Sequence, residues 1–532
     1  MRKAQPKALR KGDRLFWLLE LLLWVAVVSG LAIVAARLAF PLPSLAGRVD
    51  SVSIPADRDT PFGAAIVPLA EAHPGASGIL PLEHGPDAFA TRMLMAEIAA
   101  RSIDARYYIW QKDATGLMLL DALRRAAERG VQVRLLVDDN GIPGLDKELS
   151  ALDALPNFEV RLFNPFTFRS PKFASYFFDF NRLNRRMHNK SFTVDGAVTV
   201  VGGRNIGDIY FSRGEEAQYF DLDVIAVGRA AGEVNADFDR YWSSQSSYPI
   251  DLLVPVAPDG LELLAAGVED AARQPGAQQY ADSIRESDYV RSLVSGTLPL
   301  EWVRMTLLSD DPAKGLGLAE RDGLMISRLA EILGDARVSL DVISAYFVPG
   351  KGLRAYLGGL AGTEVRVRAL TNSMEATDVL PVHAGYAWYR GWLIDNGVEM
   401  YELKSGRGED DQKDDFGFLG SATTSLHTKT FAIDGERVFV GSYNFDPRSA
   451  LLNCEMGFLI ESPALARRLA DQFTERVAAQ AYRVLRNDDG ALEWTETGPD
   501  GAESRYDVEP RTSAPARIFI RAIGWLPITW ML

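Results

Sequence analysis

Five histidines occur in the sequence, and two of them share a setting. His188, Lys190 and Asp195 follow the spacing H-x-K-x4-D, and His427, Lys429 and Asp434 repeat it. A small residue and an asparagine follow each copy at matching distances: Gly203 and Asn205, then Ser442 and Asn444. One short pattern is weak evidence, but a duplicated one with shared followers is strong. An imidazole, an ammonium and a carboxamide on one rigid surface suit a phosphate ester. A neutral imidazole can attack phosphorus while Lys and Asn hold the non-bridging oxygens. A second, protonated imidazole can give its proton to the leaving oxygen. Near neutral pH the same side chain can play either part.

The six motif residues are the candidate catalytic groups, and Gly203, Asn205, Ser442 and Asn444 the candidate substrate-binding ones. Asp195 and Asp434 have two readings. Each precedes a glycine, so each can serve as a hairpin turn as well as in direct chemistry.

Alternation around each motif predicts a strand, with His and Lys on the same side. The return strands, 198–201 and 438–440, bring each Asn back beside its His. A further apolar strand follows each Asn, at 221–227 and 455–460. Each opens with a carboxylate, Asp221 or Glu455. These either orient the imidazoles from behind, as the third group of a triad does, or are strand-end surface acids.

The motifs sit in a larger repeat. Strands at 102–110 and 338–347 are each followed by a helix (116–129, 351–360), a strand (131–137, 365–370) and a third strand (158–163, 398–403). The offset is 237 at Asp104 and Asp341 and 239 at the histidines. The predicted fold class is α/β: two similar sandwich domains related by a pseudo-dyad that brings both histidines to one cleft.

These residues resemble the phospholipase D superfamily, whose signature is a pair of H-x-K-x4-D motifs. The likeness extends from about residue 102 to 484. R-R-M-H-N-K-S-F-T-V-D-G, V-G-G-R-N-I-G-D and the ending G-W-L-P-I-T-W-M-L are similar to the C-type subgroup of bacterial cardiolipin synthases. The resemblance implies two-step phosphatidyl transfer through a phosphohistidine, with no metal and no cofactor. It does not identify the nucleophilic histidine. It also implies that the loops before each motif set substrate selectivity, and that a helix at 380–394, with His383, Tyr386 and Tyr389, lines a lipid cleft.

The 532 residues suit two domains. A net charge of −14 argues against a nucleic-acid binder that relies on phosphate contacts. The single cysteine, Cys454, excludes an internal disulfide and a cysteine-based metal site, and reads as core. Residues 1–14 carry Arg2, Lys3, Lys7, Arg10, Lys11 and Arg14 against Asp13 alone. Residues 15–36 are almost wholly apolar and can span a bilayer, which takes about 20 residues. The basic flank puts the N-terminus in the cytoplasm and the body on the far side, and the apolar run, long for a signal peptide, predicts an uncleaved anchor in a bacterial inner membrane. A cleaved signal peptide is the alternative.

The expected layout is a basic N-terminus (1–14), an anchor (15–37), a linker (38–85), a first domain (86–250), an insertion (251–320), a second domain (321–485) and a tail (486–532). The tail reads as a hairpin turning at 498–501 and a Trp-bearing interfacial helix at 516–532. His73 and His84, in the linker, carry no partner pattern. Residues 410–415 read as a solvated acidic loop. The basic and aromatic stretch 169–190 is either a lipid-headgroup surface or a helix packing its aromatics inward. The expected activity is cardiolipin formation from phospholipids, with phosphatidylglycerol or phosphatidylethanolamine as donor. Whether a helper protein is needed is open. Hydrolysis to phosphatidic acid is the alternative, with a superfamily nuclease and an inactive membrane scaffold ranked below it.

Overall fold

A computed structural model describes residues 11–213, 218–286, 289, 292, 297–405, 424–475, 477–498, 501–525 and 531. Residues 1–10, the 410–415 loop, the centre of the 498–501 turn, and Pro527 and Trp530 lie outside the described residues. The chain forms two compact units, residues up to 46 with 166–184, and 47–165 with 185–532.

In the smaller unit a helix runs from Lys11 to Ala39, and its Phe16–Ala39 stretch is long and apolar enough to cross a membrane. Arg37 donates from Nε to the Phe178 carbonyl at 2.6 Å, and the Phe40 ring meets those of Phe168 and Phe178. Phe178 is buried, but Phe173 and Phe177 are 66% and 77% exposed. The inward-packing reading of this stretch therefore holds for Phe178 and in part for Tyr176, which meets Phe166 edge-on.

The larger unit carries the repeat. In the first half the central strand order is Asp223–Gly228, Val198–Gly202, Ser191–Val194, Ser102–Tyr107, Gln132–Asp138 and Phe158–Phe163. In the second it is Met456–Ile460, Arg437–Gly441, Lys429–Ile433, Ser339–Ser344, Arg366–Asn372 and Glu399–Leu403. The last three strands of each set run parallel and the motif hairpins antiparallel. A buried ion pair ties the first two parallel strands in each half: Arg134 to Asp104 at 2.7 Å and Arg368 to Asp341 at 2.6 Å. The halves share an apolar core in which Val201, Val224 and Ala226 pack with Val438, Val440, Met456 and Phe458. Most residues of these strands are buried on both faces, charged ones such as Arg106 and Arg161 included.

Three stretches depart from the expected layout. The 38–85 linker contains the helix Pro61–Ala72 and the strand Ser77–Leu82, which joins the first sheet beside Asp223–Gly228. The 251–320 insertion gives a short strand to each sheet, Glu301–Val303 and Met305–Ser309. The tail strands Leu492–Thr497 and Glu503–Tyr506 extend the second sheet through Ala481–Arg486. Ser77–Leu82 and Met305–Ser309 take equivalent places in the two sheets, each antiparallel to the strand that follows its motif hairpin, so the repeat reaches one strand further than the sequence pattern suggested. The helix Ala514–Gly524 packs Ile520 against Ala384 and leaves Ile518, Phe519 and Trp525 exposed.

Asp195 and Asp434 belong to the fold rather than to direct chemistry, which corrects their inclusion among the catalytic groups. Both have positive φ and precede a positive-φ glycine, as a type I′ hairpin turn requires. The Asp195 carboxylate accepts backbone N–H bonds from Ala100, Arg101 and Ser102. Asp434 accepts the equivalent three from Arg337, Val338 and Ser339. Each therefore fixes the start of the neighbouring parallel strand, seven residues of extended chain (about 23 Å) from its motif histidine. Asp195→Ala and Asp434→Ala should each lower unfolding free energy by about 1–3 kcal/mol in urea titrations. The folded variants should keep their turnover. Loss of turnover by a fully folded variant would return these carboxylates to the chemistry.

Candidate active site

The two motifs meet where the halves cross. Thr424–Leu426, just before the second motif, pairs in parallel with Gln218–Phe220 of the first half. The His427 N–H then donates to the Phe220 carbonyl at 2.8 Å. The mirror arrangement pairs Met187 with Cys454, and the His188 N–H donates to the Cys454 carbonyl at 2.8 Å. Cys454 is fully buried in this contact.

The residue after each carbonyl is the carboxylate that opens the next strand. Asp221 Oδ2 lies 2.5 Å from His427 Nδ1, and Glu455 Oε2 lies 2.8 Å from His188 Nδ1. Each imidazole thus takes its carboxylate from the opposite half. With Nδ1 engaged, Nε2 is the ring nitrogen left for a substrate. Lys429 Nζ is 2.9 Å from His427 Nδ1, but that nitrogen has one proton, and the shorter contact assigns it to Asp221. The ammonium donates to the His427 carbonyl instead, and Lys190 Nζ donates to that of His188 at 2.6 Å.

Gly203 and Ser442 stand behind the rings and do not line the cavity, which corrects their reading as substrate-binding groups. A Cβ at Gly203 would meet Asp221 Oδ1 at 2.0 Å, so glycine makes room for that carboxylate. At the equivalent place the Ser442 hydroxyl donates to Glu455 Oε2 at 2.5 Å. Asn205 and Asn444 do line the cavity. Asn205 accepts the Ile109 N–H and donates to the Tyr210 hydroxyl, while Asn444 Oδ1 is buried with no hydrogen-bond partner among the described residues.

The cavity holds about 350 Å³ and is lined by both histidines, both asparagines and residues that the motif spacing did not mark. Tyr219 stacks on the His427 ring at 5.0 Å, and Tyr210 and Tyr108 meet His427 and His188 edge-on. Asp378, Asp446, Arg448, Asn453 and Tyr346 add to the polar lining. Arg448 and Asp446 directly follow the second motif, whereas Tyr346 and Asp378 left no signal in the sequence. The helix Leu380–Asp395 contributes Val382 to the wall, but not the residues expected of it. His383 is buried against Glu509 at 3.1 Å, and Tyr386 and Tyr389 lie in the core.

Burial sets the resting charges. It holds His188 well below the usual imidazole range, helped by the charges of Lys190 and Lys429, and brings His427 down to about 4. Both rings are therefore neutral at rest. Burial also brings Lys190 down to about 7 and lowers Lys429. Burial pushes Glu455 up to about 7. It also works against an ionised Asp221, but Lys429 and His427 outweigh it and hold that carboxylate low.

Two expectations follow from this geometry. Asp221→Asn and Glu455→Gln should fold, and each should lose turnover on the order of 10⁴-fold, as when a buried carboxylate no longer fixes an imidazole tautomer. Steady-state kinetics on refolding-competent protein checks this, and a loss below tenfold would contradict it. The Lys190 ammonium should titrate near pH 7 when the cleft is empty and higher when an anion binds. Below that pH the proton is already present, and above it the proton must be taken up. Affinity for tungstate, an oxyanion of constant charge in this range, should thus fall by about tenfold per pH unit above neutrality. Calorimetric titration reads it, and a flat profile would contradict it.

Comparison with known proteins shows the family of the chain. The domain described as "Cardiolipin synthase, PLD-like domain" matches residues 95–242 and again 329–477. Cardiolipin synthase C of Escherichia coli (strain K12) is 47% identical over 476 residues, covering 88% of this chain and 99% of that protein. A cardiolipin synthase of Staphylococcus aureus (strain Mu50 / ATCC 700699) is 26% identical over 387 residues, 71% of this chain and 63% of that protein. The crystal structure of phosphatidylserine synthase from Haemophilus influenzae Rd KW20 superposes with a TM-score of 0.54 at 14% identity, over 87% of this chain and 99% of that one, which shows the shared fold. With two copies of the domain across more than half its length, this chain belongs to the cardiolipin synthase family of phospholipase D-like phosphatidyltransferases.

Proposed function

We propose that the protein is a membrane-anchored enzyme that joins phospholipids into cardiolipin through a phosphohistidine. The observation that carries this reading is the pair of imidazoles at one cavity, each held at Nδ1 by a carboxylate of the other half. In the first step a neutral Nε2 attacks the donor's phosphorus. The bond from phosphorus to the headgroup oxygen breaks, and the other histidine, neutral in the empty cleft and protonated when the phosphate anion is bound, supplies the proton. In the second step the acceptor alcohol gives its proton to that same histidine, attacks phosphorus, and the P–N bond breaks.

The ionised Asp221 stands behind His427 and favours the imidazolium there. We therefore assign the proton transfers to His427 and the nucleophile to His188. Lys190 and Lys429 supply positive charge near the non-bridging oxygens, and Asn205 and Asn444 supply amide donors. No step calls for a metal.

Transfer must outcompete water at about 55 M, and positioned groups can do so because effective molarities reach ~10⁵ M or more. Holding the protein at a bilayer concentrates acceptor lipid. Support for that placement comes from the Phe16–Ala39 helix, the exposed Phe173 and Phe177, and the exposed Ile518, Phe519 and Trp525. The basic N-terminal flank favours an inner-membrane anchor with the body outside the cytoplasm. Phosphatidylglycerol and phosphatidylethanolamine are the candidate donors.

Expression in a bacterial host lacking its own cardiolipin synthases tests the proposal. Cardiolipin should appear with the wild type and vanish with His427→Ala. Accumulation of phosphatidic acid with no cardiolipin, in the presence of candidate helper proteins, would favour hydrolysis instead.

A further inference from the structure

The cavity departs from the pseudo-dyad at its two histidines. Beside His188 stands Tyr108, whose phenol is pushed up by burial and by the Asp138 carboxylate, against the charges of Arg186 and Arg448. Beside His427 stand Tyr210 and Tyr219. Asp378 Oδ2 accepts hydrogen bonds from both the Tyr219 and the Tyr346 hydroxyls, each at 2.8 Å. Aligned on Asp221 and Glu455, Tyr219 corresponds to Asn453, and aligned on Asp104 and Asp341, Tyr346 corresponds to Ile109, so this pair of tyrosines has no twin.

The cluster has no evident structural task. Asp378 lies just before the helix Leu380–Asp395 but does not cap it, because the N-cap is Val379 and has no side-chain bond. Both tyrosines use one carboxylate oxygen, and Oδ1 has no hydrogen-bond partner among the described residues. Two phenols that donate to the same oxygen fix the carboxylate in place. Tyr219, stacked on His427, ties it to the catalytic ring.

A fixed negative charge at the edge of a phosphate site repels the reacting lipid unless that lipid brings something to offset it. A headgroup carrying hydrogen-bond donors does so, and an ammonium also gains from the surrounding aromatic faces. We infer that Asp378, held by Tyr219 and Tyr346, is a headgroup subsite that grips the hydroxyl or ammonium donors of the alcohol served by His427. This rests on the phosphatidyl-transfer reading above. It adds that the enzyme selects its lipids at the departing or arriving alcohol, through a residue outside both motifs.

Asp378→Asn keeps the size of the side chain and removes its charge, and Asp378→Ala removes the acceptor as well. Full-length protein in mixed vesicles would be given phosphatidylglycerol, phosphatidylethanolamine or phosphatidylmethanol as donor. The last has no headgroup donor. The ratio of kcat/KM for a donor-bearing lipid to that for phosphatidylmethanol should fall by about tenfold or more in Asp378→Ala, as when a site built to hydrogen-bond a group loses its partner. A fall confined to phosphatidylethanolamine identifies an ammonium ligand, one confined to phosphatidylglycerol a polyol, and a shared fall both. Each supports the subsite. An unchanged ratio in both variants overturns it while leaving phosphatidyl transfer intact. A wild type that turns over none of the three lipids sinks the transfer reading, and this inference with it.

Discussion

The site depends on an exchange between the two halves of the repeat. Each motif histidine gives its backbone N–H to a carbonyl of the opposite half, and its Nδ1 meets the carboxylate one residue further on. Neither half contains a complete histidine–carboxylate pair. Catalytic geometry therefore exists only when Val201, Val224 and Ala226 pack against Val438, Val440 and Phe458. Placing both halves on one chain makes that packing intramolecular, so the site forms with the core rather than after it.

The same packing makes the site costly to build. His188, Lys190, Asp221, His427, Lys429 and Glu455 are all nearly or fully buried. Isolated charges there would be prohibitive, so each is paired or neutralised. A second layer supports Glu455: its backbone N–H donates to Asp310, which Lys314 holds at 2.8 Å, and both are buried. The benefit is preorganisation, because dipoles and charges stand ready where phosphorus reacts and need not be rearranged.

The sequence was informative where the chain repeats. The doubled H-x-K-x4-D spacing singled out the two histidines of the cavity and the lysines beside them, because period-2 geometry puts His and Lys on one side of a strand. The alternation of strands and helices implied two α/β halves. Asp195 and Asp434 could not be resolved from sequence, since a hairpin turn and a catalytic acid leave the same Asp-Gly pattern. Only their three backbone N–H bonds each distinguish the two. Gly203 and Ser442 misled for a related reason: small residues beside a site serve a carboxylate behind the ring as readily as a phosphate in front of it. The crossing of Asp221 to His427 and of Glu455 to His188 is a tertiary fact with no trace in spacing, and Asp378 lies outside both motifs.

Crossed pairing is also the claim most open to direct test. With five histidines in the chain, ¹⁵N-histidine NMR of the detergent-solubilised protein can follow each imidazole. Asp221→Asn should shift the Nδ1 resonance of His427 and leave that of His188 in place. Glu455→Gln should do the reverse. If Asp221→Asn instead moves His188, or if neither substitution moves either ring, the carboxylates do not reach across the halves and the account of the site is wrong.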